Sequence, residues 1–259
     1  MTTDPDADFF AFAESLADAA GALVRPYFQR PIEVKAKAGD SPVTEADRAV
    51  ETRLRDMVAD RYPDHGVIGE EFPDTNPDAE HVWVFDPIDG TRSFIIGIPL
   101  FTTLVSLVRD GAPVLGVIAQ PVIGDRWVGG AGRPATFNGA PARVRDCGEL
   151  ALAQLCTSND AYFKDDEGTA FERLRGAVRW AHQGADAYGF GLIASGLIDL
   201  GFEAGLGTHD YCALAPVIEA AGGVMTDWHG APLTIHSDGR VLAAGDQRAH
   251  AAALALITG

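Results

Sequence analysis

The chain has 259 residues, 47% hydrophobic and 22% charged, a balance ordinary for a globular protein long enough to bury a sizeable core. Its formal charge of −17, with Lys35, Lys37 and Lys164 as the only lysines, argues against nucleic-acid binding, which rests on Lys and Arg neutralising phosphates. No apolar run reaches the ~18 residues of a membrane span, and the acidic start MTTDPDADFF is the opposite of a basic secretory leader, so a cytoplasmic protein is expected. Cys147, Cys156 and Cys212 are odd in number, widely spaced and without a CxxC pattern, as expected of reduced thiols.

In chain order, Phe9, Phe12, Ala13, Leu16, Ala20 and Leu23 recur at helical spacing and predict a first helix. The stretch KAKAGDSP reads as a loop. TEADRAVETRLRDMVADRYP predicts a second helix, with Val50, Leu54, Met57 and Val58 on one face and Pro63 as its stop. A short strand, GVI, then runs into Glu70 and Glu71, a polar loop PDTNPDAE follows, and the strand VWVF ends at Asp86. From Phe101 to Val128 apolar runs broken by RDGAP and VIGDR predict an antiparallel meander, because such short connections exclude crossovers. Beyond Asn138 strands and helices alternate: strands in LAQLCTS, VRWAH, LIDLGFEA, GVMTDW and VLAAG, helices in EGTAFERLRG, DAYGFGLIASG, HDYCALAPVIEAAGG and DQRAHAAALALIT. The expected class is α/β, with α+β character in an N-terminal lobe of residues 1–138 and an α/β lobe in residues 139–259.

Asp86 ends an apolar strand and Asp89 follows on the turn that Pro87 stiffens, which gathers two carboxylates and the Ile88 carbonyl as a hard cation such as Mg²⁺ prefers. A plain turn uses the same residue types, and Glu70, at the end of another strand, is what favours the cation. Asp47 has two readings. It stands three residues after Thr44 at a helix start, where a capping box needs no chemistry. Asp210 opens an apolar helix, where its charge gains from the helix dipole, and His209 beside it reads as structural because no second His stands at metal-binding spacing. GAGRPA at Gly130 fits a turn between strands, and GFGLIA at Gly189 is a weak dinucleotide-binding pattern without its βαβ unit.

Together, GEE at Gly69, DPIDGT at Asp86, PVTEAD ending at Asp47 and HDYCALAPVIEAAGG from His209 resemble the inositol monophosphatase family of metal-dependent phosphatases. SPVTEADR, DPIDGTRSFIIGIPLFTTLVSL and GADAYGFGLIASGLIDL are most similar to its histidinol-phosphate phosphatase branch. The resemblance implies a layered α/β/α/β/α sandwich, commonly dimeric, acting on a small phosphate ester. It implies that Glu70, Asp86 and the Ile88 carbonyl hold one Mg²⁺, that Asp86, Asp89 and Asp210 hold a second, and that Glu70 contributes to a third. It further implies that Gly90 and Thr91 bind phosphate, with Asp47 hydrogen-bonded to Thr91, and that Asp47, Thr91 and Glu70 are catalytic. Two positions depart from the pattern: His209 stands where many relatives have Trp, and Ile98 where a polar or basic residue is frequent.

Full acceleration of phosphomonoester hydrolysis approaches ~10²¹, whereas a positioned acid or base supplies only ~10² to 10⁴, so Thr91 and Asp47 do not suffice without metal. For the alcohol, the acid matching Glu203 accepts hydroxyl hydrogens in inositol-type relatives and does not discriminate. A second acid at Asp186, unless it only caps its helix, favours the cationic histidinol over a neutral polyol. The expected function is therefore histidinol-phosphatase, with an inositol or sugar phosphatase as the alternative and a dinucleotide-binding oxidoreductase as a remote one.

Overall fold

The run from Val82 to Phe85 is apolar on both of its alternating faces, and a strand of that kind must be covered on both sides. The computed structural model describes residues 6–36 and 42–259 and shows how. The chain begins with α1 (Ala7–Val24), the short strands β1 (Val34–Ala36) and β2 (Pro42–Thr44), and α2 (Glu45–Arg61). Next come β3 (Gly66–Gly69), β4 (His81–Asp89), the short α3 (Thr91–Ile95), β5 (Thr102–Arg109), β6 (Ala112–Gln120), β7 (Asp125–Gly130), β8 (Arg133–Phe137) and β9 (Ala140–Pro141). The remainder is β10 (Gln154–Thr157), α4 (Asp166–Ala177), β11 (Trp180–Gln183), α5 (Asp186–Ala194) and β12 (Leu200–Glu203). It closes with α6 (Thr208–Tyr211), α7 (Leu214–Ala220), β13 (Val224–Asp227), β14 (Val241–Ala244) and α8 (Gln247–Thr258).

Strands β3 to β9 form one sheet in chain order, parallel only between β3 and β4, and the expected meander is its antiparallel part. A second sheet runs β11-β10-β12-β14-β13. Three apolar cores separate these layers. Trp83 and Phe85 of β4 pack with Leu16 of α1 and Leu54 of α2; Val82 and Val84, on the opposite face, pack with Phe190 of α5 and Val217 of α7. That middle core also takes in Met225 and Ala243 of the second sheet, whose outer face packs Phe202 and Leu242 against Phe171 of α4 and Ala253 of α8. The order is helices, sheet, helices, sheet, helices, the expected five-layered sandwich. No helix among the described residues is long and apolar enough to cross a membrane.

Three local expectations change. β4 continues through Asp89 instead of ending at Asp86. The loop expected at KAKAGDSP begins and ends in paired strands, Lys35 facing Val43, and residues 37–41 lie outside the described residues. The single helix expected from His209 is two, α6 and α7, broken at Cys212 and Ala213. Pro216 is the cause, since it has no N–H for the Cys212 carbonyl four residues back and its ring crowds that carbonyl. The helix expected over DAYGFGLIASG is α5, and the glycines of GFGLIA lie inside it and not in a phosphate-binding turn.

Gly191 lets α5 lie against Trp127: a Cβ there would stand 2.7 Å from the indole ring. Trp127 is fully buried and stacked on Phe137, so it has no room to withdraw. Gly191→Ala should therefore destabilise the protein by about 1–3 kcal/mol through overpacking. Gly176→Ala, with nothing within 4 Å of the new methyl, should be neutral or slightly stabilising. Denaturant midpoints of the two variants check the contrast, and equal midpoints would contradict it.

Candidate metal centre

Residues three apart on a regular strand face opposite sides, so Asp86 and Asp89 come together only because β4 is irregular. Asp86 pairs with Leu104 and Asp89 with Thr102, which sets three steps on β4 against two on β5. Pro87 has no N–H for the ladder, and the extra residue turns both carboxylates to one side. Asp86 Oδ1 accepts the Ile88 N–H at 3.0 Å, while Asp89 Oδ2 accepts the Ala187 N–H at 2.9 Å and the Thr102 hydroxyl at 3.3 Å. From the far side of the middle core, α6 brings Asp210, whose Oδ2 accepts the Gly207 N–H at 2.6 Å.

Oxygens of Asp86, Asp89 and Asp210 lie within 4.8 Å of one another, and the same holds for ligand atoms of Glu70, Asp86 and His209. Burial pushes the Asp86 carboxyl well above its usual range, and Glu70, Asp89, Asp210 and Asp47 push it further by repulsion. Asp89 is raised by burial and then by Asp186 and Asp210; Asp210 is raised by burial, with His209 and the Gly207 N–H acting the other way. Like charges gathered in a half-dry site need a counter-charge, and an oxygen-rich donor set of this kind fits a divalent cation. The residues present therefore suit a metal.

Glu70 stands where β3 gives way to the next loop, and a residue that the sequence pattern did not single out fixes it there. Glu51 of α2 is fully buried; its Oε2 accepts the Glu71 N–H at 2.7 Å and its Oε1 the Arg55 Nε–H at 2.8 Å. Arg55 also reaches the Phe72 carbonyl and the Thr75 hydroxyl. A Cβ on Gly69 would lie 2.1 Å from Glu51 Oε1, so a glycine is what lets the carboxylate in. The peptide joining Glu70 to Glu71 is thus held from below by a buried ion pair. The available signal was an acid between Val50 and Leu54, on the buried face of a helix.

The capping reading of Asp47 is correct: its Oδ2 accepts the Thr44 N–H at 2.8 Å and the Thr44 hydroxyl at 2.6 Å. The expected hydrogen bond from Asp47 to Thr91 is not made. Thr91, at the start of α3, donates its hydroxyl to the Ile88 carbonyl at 3.0 Å, and Asp47 Oδ1 is buried without a hydrogen-bond partner. Gly90 precedes it at φ +79°, in the left-handed region, with Asp186 Oδ2 only 3.0 Å from where a Cβ would stand.

Asp186 and Glu203, the two candidate substrate contacts, lie near each other, and Ser158 holds Glu203. Glu203 is 2% exposed, and its Oε1 accepts both the N–H and the hydroxyl of Ser158, the latter at 2.8 Å. Asp186 opens α5 at φ +44°, a strained conformation for a residue with a side chain. Burial raises its carboxyl, while Ser158 and Arg92 draw it down. Nothing in the sequence pattern marked Ser158, which lies in a loop and far along the chain from both acids.

Burial pushes the Glu203 carboxyl from 4.5 up to about 8 against the pull of Ser158. Between those values the folded protein holds a proton that the unfolded chain releases, so stability is present below the lower value and is lost as pH rises through the window. The slope is at most about 1.4 kcal/mol per pH unit. Glu203→Gln removes this titration, so its stability relative to the parent should rise from pH 5 to pH 8. Urea midpoints of both metal-free proteins at the two pH values measure it, and a constant difference would refute it.

The profile of the inositol monophosphatase family matches residues 6–258 of the chain. A bifunctional phosphatase of Arabidopsis thaliana, IMPL2, is 40% identical over 255 residues, covering 95% of this chain and 74% of that protein. A histidinol-phosphatase of Chlorobaculum parvum is 35% identical, covering 89% of this chain and 90% of its own length. Among solved structures, an inositol monophosphatase of Zymomonas mobilis superposes with a TM-score of 0.92 at 41% identity, covering 99% of this chain and 100% of that one. The acids gathered at the end of β4, the five-layered sandwich and these matches agree: the chain belongs to the inositol monophosphatase family of metal-dependent phosphatases.

Proposed function

We propose that the protein is a Mg²⁺-dependent histidinol-phosphatase, releasing L-histidinol and phosphate from L-histidinol phosphate in histidine biosynthesis. One observation carries the choice of substrate: the Asp186 carboxyl stands beside Gly90 and Asp89, an additional acid suited to an alcohol with an ammonium group and an imidazole. Relatives bearing the histidinol-phosphatase name support it.

In this reading Glu70, Asp86, Asp89, Asp210 and the Ile88 carbonyl hold two or three Mg²⁺ ions. Bound there, the ions would supply positive charge to the phosphoryl oxygens and the leaving oxygen. Gly90 and Thr91 bind the phosphate through backbone N–H groups and the Thr91 hydroxyl. The same hydroxyl, now on Ile88, turns to the incoming water and orients it together with Glu70. Asp47 Oδ1 is the acceptor left over for this arrangement, since the cap uses only Oδ2. A covalent phosphoenzyme is not part of the reaction: Cys156 and Cys212 are buried thiols raised far above neutral, and Thr91 has no base paired to it in the structure.

Myo-inositol 1-phosphate is the competing substrate, favoured by the inositol monophosphatase likeness at 41% identity. A phosphate-release panel separates the two. L-histidinol phosphate should have the highest kcat/KM, and Asp186→Asn should lower that preference by about ten- to a hundredfold, the worth of one charge-assisted hydrogen bond of 1.5 to 3 kcal/mol. Asp86→Asn, and excess chelator on the parent protein, should abolish turnover of every ester. Equal or faster hydrolysis of the inositol ester overturns the substrate, and activity in excess chelator overturns the metal chemistry.

A further inference from the structure

His209 sits one residue before Asp210 in α6, with its side chain about a quarter exposed, 23%. Its ring does not extend into solvent. It folds back over the preceding backbone, so that a Cβ on Gly207 would stand 2.5 Å from Cε1 and 2.9 Å from Nε2. Gly207 has φ −79° and ψ 165°, which any residue adopts, so the backbone does not require a glycine there. The space its missing side chain leaves is filled by the imidazole. That fold-back sets a ring nitrogen within 4.8 Å of carboxylate oxygens of both Glu70 and Asp86. Donors on one ion with bonds of about 2.0 to 2.2 Å are at most about 4.4 Å apart, so small side-chain adjustments complete such a set.

A structural histidine pairing with Asp210 is the simpler account, but its Nε2 lies 3.6 Å from Asp210 Oδ1, beyond hydrogen-bond length. Asp210 already receives the Gly207 N–H on its other oxygen. We propose that His209 supplies an imidazole nitrogen, beside the Glu70 and Asp86 carboxylates, to one divalent-cation position of the centre, and that this position, while open to Mg²⁺, favours a first-row transition ion such as Mn²⁺, Co²⁺ or Zn²⁺. The neighbouring group of Asp86, Asp89 and Asp210 has oxygen donors alone and suits Mg²⁺. Nitrogen donors strengthen binding of the later transition ions far more than of Mg²⁺, so the two positions differ in preference by their chemistry. The inference rests on the metal-centre reading of Glu70 and Asp86.

The test loads the whole metal-free protein with Mn²⁺ alone and records pulsed electron paramagnetic resonance, which reports ¹⁴N coupled to the ion. The parent protein should show one imidazole nitrogen. Both His209→Gln, which removes the ring, and Gly207→Ala, which keeps it but occupies its place, should lose that coupling. Competition titration should show Zn²⁺ binding weakened at least about tenfold in His209→Gln, because loss of even an outer hydrogen-bond partner of a ligand weakens binding by about that factor. Mg²⁺ affinity should change much less, which also reports that the variant is folded. A parent protein that takes up Mn²⁺ without nitrogen coupling, or coupling that persists in either variant, overturns the assignment and leaves the phosphatase reading standing. A parent protein that takes up no Mn²⁺ overturns both.

Discussion

The mutual repulsion of buried carboxylates governs this structure. At 4 Å two like charges oppose each other by about 4 kcal/mol even at an effective dielectric of 20, and Asp86 has Glu70, Asp89, Asp210 and Asp47 around it. Such a cluster survives only on supports that cannot relax away from one another. β4 is covered by apolar cores on both faces, Glu70 is pinned through the Glu51–Arg55 pair, and Asp89 is held by the Ala187 N–H. In the metal-free protein the raised carboxyls answer that repulsion by holding protons, which a cation displaces, so ion binding is tied to both pH and stability by linkage.

What the sequence made legible was local. Asp86, Asp89, Glu70 and Asp210 each stand at the end or start of an element with an obvious hydrophobic period, and the period finds the element. Less visible was everything set by contacts across space: the bulge that turns Asp86 and Asp89 to one side, the clamp on the Glu70–Glu71 peptide, and Ser158 holding Glu203. The break between α6 and α7 was readable in principle from Pro216, but an apolar run ending in two glycines reads as a single helix. His209 shows the same limit, because its spacing to other histidines says nothing about carboxylates that arrive from elsewhere in the chain.

In Asp47 the structural role leaves one oxygen over for the proposed chemical one. A cap needs a single acceptor, and Thr44 takes Oδ2 with both its N–H and its hydroxyl. The second oxygen is left buried and unsatisfied, a condition that costs free energy unless something donates to it. An Asn at this position keeps the cap and loses the charge, whereas an Ala loses both. The Thr91 hydroxyl, parked on Ile88, is free to re-aim without breaking any ladder of the sheet.

Asp210 poses a different problem, since it comes from beyond residue 138 and must register with acids on the first sheet. Its element is locked where the backbone just after it meets the first sheet. The Ala213 carbonyl lies 2.0 Å from where a Cβ of Gly116 would stand, so that β6 tolerates only a glycine there. Beside it Ser106 Oγ of β5 reaches the Cys212 carbonyl at 2.9 Å, the carbonyl that Pro216 leaves without a helical donor. The same proline that breaks the helix thus frees the group that anchors it to β5. A two-residue break, a glycine and a serine fix Asp210 opposite Asp86 with almost no slack, which is what a centre built from mutually repelling charges requires.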